Sequence, residues 1–340
     1  MKAAQIIFMA IVLSVLAGCH PRVVERAPLR EGQQLLSVDF QEGQTLQYKF
    51  TSSRETQIVW DPTRSASKPD KGAVNQFTEL MEAVVTYTPV EVDPYGLTTL
   101  KATCKSVKVT RTRTPRGQPT GKDAAESFAG KTYTITVSPS GKIEDYSELD
   151  ELIRQVGEKA FRADAARGRI KEADMIGDFV AGQWFLWDSI SSIEKASEGA
   201  SVGQTWKSKL PVPTPMVSRE ARDVTYSLAE IRQSEGLLSE SEKGKLAVIS
   251  STYTLAESAP RSWPVPYSGR FQMSGPFGFL RGYKFLSLTG QGEELFNIDA
   301  GRTEQYNQQY QLEIQASLPI GISANPRITI KQKLTMQLLK

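Results

Sequence analysis

Apolar residues at every second position, sustained over long runs, restrict this chain to sheet before any other feature is considered. Near the C-terminus Ile328, Ile330, Leu334, Met336 and Leu338 share one parity, while Lys331, Lys333, Thr335 and Gln337 take the other. Tyr310, Leu312, Ile314, Ala316 and Leu318 repeat the pattern, as do Leu46, Tyr48 and Phe50, and Tyr133, Ile135 and Val137. Alternate side chains of a strand point to opposite faces, so each run has one face to bury and one to wet, as antiparallel sheet demands. Turn chemistry agrees: Gly141 follows Ser138-Pro139-Ser140 and Gly301 follows Asp299-Ala300, both places where glycine supplies φ > 0 for a hairpin. The expected fold is mainly β and antiparallel. Period two does not say how a sheet closes, so a curved sheet, a barrel and a sandwich all stay open.

Short anchors recur along the chain. Gly43-Gln44-Thr45-Leu46 matches Gly203-Gln204-Thr205-Trp206, and Gly130 with Gly290 and Gly141 with Gly301 keep the same spacing of 160 residues. Val85-Thr86-Tyr87 followed by Gly96-Leu97 is echoed by Val224-Thr225-Tyr226 followed by Gly236-Leu237. Self-similarity at a long period reads as duplication of one structural unit. The expected organisation is a β unit over 36–146, a helical connector over 147–200 and a second, related β unit over 201–340. In the connector, Ser147 with Asp150 three residues on reads as a capping-box-like start. Leu149, Leu152, Ile153, Val156 and Ala160 then recur at helical spacing, and Ile176, Val180, Trp184 and Trp187 mark a second stretch. Apolar stripes of this kind pack on a sheet.

The N-terminus carries an address. Lys2 precedes an apolar run from Ile6 to Leu16, a length that suits a signal peptide and is short for a transmembrane helix. The run ends in Leu16-Ala17-Gly18-Cys19, which resembles the lipobox of bacterial lipoproteins. That resemblance implies removal of residues 1–18 and lipid on Cys19, and several acyl chains on one residue make a stable membrane anchor. By the same resemblance, His20 rather than an aspartate after the cysteine implies the outer membrane, facing the periplasm. Residues 19–35, polar and with two prolines, read as a tether.

Composition excludes several chemistries. The chain has one histidine, His20, beside the expected anchor and outside any fold. A Ser-His-Asp triad, a Cys-His pair and a histidine zinc site are therefore out of reach, and no Gly-rich phosphate loop or GxSxG motif is present. No metal or cofactor is expected. A net charge of +3 gives no case for nucleic acid. With Cys19 lipidated, Cys104 lacks an intramolecular partner, and its place in Leu100-Lys101-Ala102-Thr103-Cys104 reads as a buried strand thiol.

Three clusters remain as candidate sites. Glu144, Asp145, Glu148, Asp150 and Glu151 place carboxylates together, as glycosidases do, but most fall in a helix's first turn, where acids offset the dipole. Arg111, Arg113, Arg116, Lys122 and Lys131 enrich a stretch that reads as a solvated hairpin tip. The insert at about 258–281, rich in Pro, Gly and aromatic residues, offers Trp263, Tyr267, Phe277 and Phe279 as possible ligand or partner contacts.

The lipobox, the Gly-Gln-Thr strand openers, the Val-Thr-Tyr…Gly-Leu hairpins and the central helical region together resemble two-repeat bacterial lipoproteins known only as a domain of unknown function. The resemblance spans about residues 36–340 and implies architecture and location. It brings no catalytic residues with it. The functional expectation is a non-catalytic, membrane-anchored scaffold or interaction module of the cell envelope, whose partner is an envelope protein. The alternative is a periplasmic carrier of lipid or another apolar ligand, and a carboxylate-based glycosidase ranks last.

Overall fold

The structure, a computed structural model, describes residues 32–62, 74–112, 122–164, 168–171, 173–194, 199–216, 218, 220–233, 244–259, 272–273, 275–318 and 325–339. The expected signal peptide, Cys19, most of the tether, Arg113, Arg116, Trp263 and Tyr267 lie outside the described residues.

The chain is mainly β, as its alternation demands. In chain order the principal strands are β1 (Leu46–Val59), β2 (Val74–Val92), β3 (Thr98–Arg111), β4 (Thr132–Val137), β5 (Ile143–Asp145), β6 (Thr205–Pro211), β7 (Ala221–Gln233), β8 (Lys245–Leu255), β9 (Arg281–Asn297), β10 (Arg302–Ser317) and β11 (Arg327–Leu339). They form one antiparallel sheet of eleven strands in the order β6-β7-β8-β9-β10-β11-β1-β2-β3-β4-β5. Neighbours in sequence are neighbours in space at every step except the middle, where the last strand pairs with the first, Ile330 opposite Thr56. β5 and β6 are the two edges, so the sheet is open and not a barrel.

The sheet is nonetheless strongly curved. Val38 N–H donates to Pro139 O at 2.8 Å, and the next residue, Asp39, donates to Gly301 O at 2.9 Å. Those acceptors sit in the β4–β5 and β9–β10 hairpins, about 29 Å apart across a flat sheet at ordinary strand spacing. Consecutive residues reach both only because the sheet wraps around a concave face.

The segment between β5 and β6 fills that face. Its helices are α1 (Ser147–Ala160), α2 (Ile176–Trp184) and α3 (Asp188–Ser191). The first has the expected stripe, with Leu149, Ile153 and Val156 buried. Its start differs slightly: Asp145 Oδ1 accepts from Ser147 N–H at 2.9 Å, so aspartate rather than serine holds the first turn. The connector is also not helical throughout. Phe161–Asp164 and Gly168–Lys171 form an antiparallel ladder, which Gln272–Met273 joins in parallel as a separate small sheet. α2 lies against the middle of the sheet; an added Cβ at Gly182 would stand 3.2 Å from the Phe50 ring. Trp187, one residue before α3, packs edge-on to Tyr87 and Phe40 at 5.8 and 5.9 Å.

The paired anchors have partly shared backbones. Gly43 and Gly203 both adopt positive φ just before a strand, and Gly141 and Gly301 both do so at hairpins. Gly130 takes a turn with positive φ, whereas Gly290 sits mid-strand in β9.

Candidate functional site

Three features stand out from the packed core, and two of them are buried charge networks. In the first, Asp178 on α2 accepts from Ser52 Oγ at 2.6 Å, Arg54 Nη2 at 2.5 Å and Gln332 Nε2 at 2.8 Å. Arg54 Nε also lies 3.3 Å from Glu79 Oε2, Arg111 Nε donates to Glu79 Oε1 at 2.8 Å, and Arg111 Nη2 pairs with Asp123. The result is a chain of alternating charges, Asp178–Arg54–Glu79–Arg111–Asp123, tying α2 to β1, β2 and β3. Burial opposes the charge on Arg54, and Asp178 and Glu79 more than restore it, so its pKa stands above the ordinary value. Asp123 continues inward: Oδ1 accepts from Ala125 N–H at 2.8 Å and Met175 N–H at 3.2 Å, fixing the approach to α2. The expectation of a solvated tip at Arg111 is corrected here. A β-bulge at Lys105, between the Val85–Cys104 and Val84–Ser106 pairs, reverses the parity of β3 and turns Arg111 to the core side.

The second network surrounds Arg222, which is fully buried. Its guanidinium carbon lies 4.2 Å from the Tyr253 ring centroid, 4.7 Å from Phe185 and 4.9 Å from Tyr310, a three-sided aromatic box of the kind that holds cations. Nη2 donates to Gln308 Oε1 at 2.5 Å. Gly290 and Gly292 make room for the box. A Cβ at Gly290 would strike Tyr310 and the backbone of Gln309, and one at Gly292 would strike the Tyr253 hydroxyl. Two carboxyl groups lie near this box. Asp188 accepts from Tyr226 OH at 2.8 Å and Ser208 Oγ at 3.0 Å, and burial pushes its carboxyl up to about 6. Glu294 accepts from Thr303 Oγ at 2.8 Å, and burial pushes it up to about 7. Raised carboxyl values are a property of general acids, but both groups here are buried, Asp188 as the first residue of α3 and Glu294 on β9, and bonded to neighbouring side chains.

The third feature is an aromatic corner at the end of the sheet where β1 ends and β2 and β9 begin. The short helix α4 (Gly275–Phe279) sits there. Phe277 packs edge-on to Phe77 at 6.0 Å, Phe279 packs edge-on to Trp60 at 6.2 Å, and Tyr283 OH donates to Phe277 O at 2.8 Å. The two described members of the predicted aromatic set thus part company. Phe277 is buried and covers the end of the core, while Phe279 is 48% exposed. Sequence reasoning missed Trp60 and Phe77, which reach the corner from β1 and β2. Trp60 carried a signal, a large aromatic residue just beyond a strand and before Asp61-Pro62.

The remaining candidates have local uses. Glu148 accepts from Thr134 N–H at 2.8 Å, and Asp150 and Glu151 pair with Arg154 on α1. Cys104 is buried and free, and burial pushes its thiol up to about 12. A shallow cavity of about 550 Å³ lies on the outer face of the sheet over β9, β10, β11 and β1, lined by Glu55, Gln291, Gln309, Lys331 and Lys333 among others. Among its lining residues Glu55 is the sole carboxylate. Among the described residues no cluster of three or more candidate ligands is placed to hold a metal ion, and no helix is long and apolar enough to cross a membrane.

No known protein-family pattern and no curated protein matches the chain. Among solved structures it is similar to lipovitellin, in a structure concerned with lipid–protein interactions in that protein. The likeness covers 89% of this chain at 12% identity with a TM-score of 0.40. The chain spans about a quarter of the lipovitellin chain, 26% of its length.

Proposed function

We propose that this chain is a lipid-anchored protein of the bacterial cell envelope, held through Cys19 at the outer membrane facing the periplasm, and that its folded part is a non-catalytic docking module for another envelope protein. The observation that carries this reading is the filled concave face. A curved sheet is a natural container for an apolar ligand, but here α2, Phe185 and Trp187 occupy the hollow. They are fixed there by Asp178, by Tyr306 OH on Gly182 O at 3.4 Å and by Thr303 Oγ on Leu186 O at 3.0 Å. With the inside committed to its own packing, recognition falls to the surface, and the Trp60–Phe279 corner offers aromatic area of the kind enriched at interfaces.

Two measurements test this reading. First, the chain from residue 20 onward is purified under native conditions and its organic extract analysed by mass spectrometry. A clean extract from a folded, monodisperse sample is expected; a stoichiometric lipid or other apolar molecule makes the carrier reading the correct one. Second, a photo-reactive phenylalanine analogue is placed at position 279 in cells. Cross-linking to an envelope protein is expected, and its absence under conditions where a known envelope complex cross-links overturns the docking assignment.

A further inference from the structure

The end of the sheet opposite the aromatic corner has a different character. Among the described residues six large hydrophobic side chains are exposed, and four of them lie at this end: Val90 (53%), Tyr95 (87%) and Leu97 (37%) on the β2–β3 hairpin, and Val202 (54%) in the turn before β6. Single exposed apolar residues need no explanation, but their gathering at one end does. The hairpin presents them firmly. Asp93 Oδ1 accepts from the N–H groups of both Tyr95 and Leu97 at 2.8 Å, and Asp93 N–H donates to Leu97 O at 2.9 Å. Gly96 closes the turn at φ +83°, with Pro139 behind it.

The N-terminal chain arrives at this same end. Gln33–Gln34 pairs with Ala200–Ser201, and Val38 and Asp39 bond to the β4–β5 and β9–β10 hairpins. Thirteen peptide steps separate Cys19 from Gly32, a reach of at most about 45 Å, so a bilayer holding Cys19 is tethered to the fold at this end. We propose that this end faces the membrane and that the β2–β3 tip dips Tyr95, Leu97 and Val90 into the bilayer interface, fixing how the module stands. This inference rests on the lipid-anchor reading above. Tyrosine suits the role, because its ring is apolar and its hydroxyl stays among the headgroups. Glu91 and Asp93 flank the tip, so attraction to anionic headgroups is not the driving force. Contact forms on neutral lipid and is insensitive to salt.

The test supplies its own tether. The chain from residue 20 onward, with an N-terminal histidine tag, is held on phosphatidylcholine vesicles containing a nickel-chelating lipid. An environment-sensitive dye is attached in turn through Leu97→Cys, Phe279→Cys and Lys331→Cys; Cys104 is buried and does not label. Spin-labelled lipid is expected to quench the dye at 97, with the dyes at 279 and 331 left to aqueous quencher, at low and high salt alike. A dye at 97 as open to aqueous quencher as that at 331, or stronger lipid quenching at 279, overturns the proposal. Without the tag, the double variant Tyr95→Ser/Leu97→Ser is expected to partition onto vesicles about tenfold more weakly than the parent; equal partition counts against it. Acylation is read separately, from the mass of the chain recovered from bacterial membranes. An unmodified Cys19 removes the anchor reading, while the vesicle result still decides whether the tip enters lipid.

Discussion

Replacing Asp178 tests whether α2 is fixed in the sheet by charge or merely packed there. The carboxylate is fully buried and takes three donors at 2.5–2.8 Å, from Ser52, Arg54 and Gln332. Asp178→Asn keeps the shape but removes the charge, leaving Arg54 buried opposite Glu79 alone, with a nitrogen–oxygen distance of 3.3 Å. Breaking a buried pair from one side costs about 3–5 kcal/mol, because the surviving charge stays desolvated. Arg54→Met strands Asp178 less severely, since Ser52 and Gln332 still donate to it, and about 2–3 kcal/mol is expected. The double variant Arg54→Met/Asp178→Asn removes both charges and leaves Gln332 Nε2 bonded to Ser52 Oγ at 2.6 Å, so its loss is smaller than that of Asp178→Asn alone. Urea unfolding of the chain from residue 20 onward, followed by tryptophan fluorescence and far-ultraviolet circular dichroism, gives the four free energies of the cycle. A coupling of about 3 kcal/mol is expected. Single losses under about 1 kcal/mol, or losses that simply add, refute the view that this pair holds the helix in the sheet.

Three further outcomes follow from the same geometry. Asp188 and Glu294 have folded pKa values above their ordinary ones, at about 6 and about 7. The stability they carry is fully present below about pH 4 and is lost as pH rises to about 7, by about 3 kcal/mol for each group. Urea midpoints should be higher at pH 5 than at pH 8, with Glu294→Gln removing about two thirds of the difference; a midpoint that rises with pH contradicts the assignment. Gly292→Ala places a methyl group against the Tyr253 hydroxyl and Ser251 Oγ, so a loss of about 1–3 kcal/mol is expected together with a changed near-ultraviolet aromatic signal. Cys104, buried and with its thiol pushed up to about 12, should resist iodoacetamide at pH 8 in the folded chain and react once urea unfolds it; rapid reaction of the native protein excludes this placement.

Alternation was enough to read the strands, because one wet face and one dry face leave a mark every second residue. It was not enough to read how the sheet closes, since open and closed sheets bury the same parity. The central pairing of β11 with β1 left no mark either, because no turn joins those strands. The buried charges were hidden for another reason. Ser52, Arg54 and Thr56 continue the inward parity of Tyr48 and Phe50, but polar residues at core positions read as the end of a pattern. Arg111 was misplaced by one bulge, which exchanges the faces of everything beyond it. At the aromatic corner, residue type gave the right neighbourhood, but only packing separates Phe277, turned inward, from Phe279, turned out. Tyr95 and Leu97 lie at the tip of the Val-Thr-Tyr…Gly-Leu hairpin that was legible in the sequence, while their meaning depends on where the N-terminal chain enters the fold.

The pairing at the centre of the sheet also sets the order in which the protein can be made. β1 is made long before its partner β11, with Leu339 opposite Gln47. Until then the β1–β5 half and the β6–β10 half each present an unpaired central edge, the kind that recruits other chains. Contacts so distant in sequence form slowly, so the interval before β11 pairs with β1 is when this protein is most exposed to aggregation. Losing the thirteen residues of β11 (Arg327–Leu339) would split the sheet down its middle, and their deletion should therefore act as a folding defect out of proportion to its length.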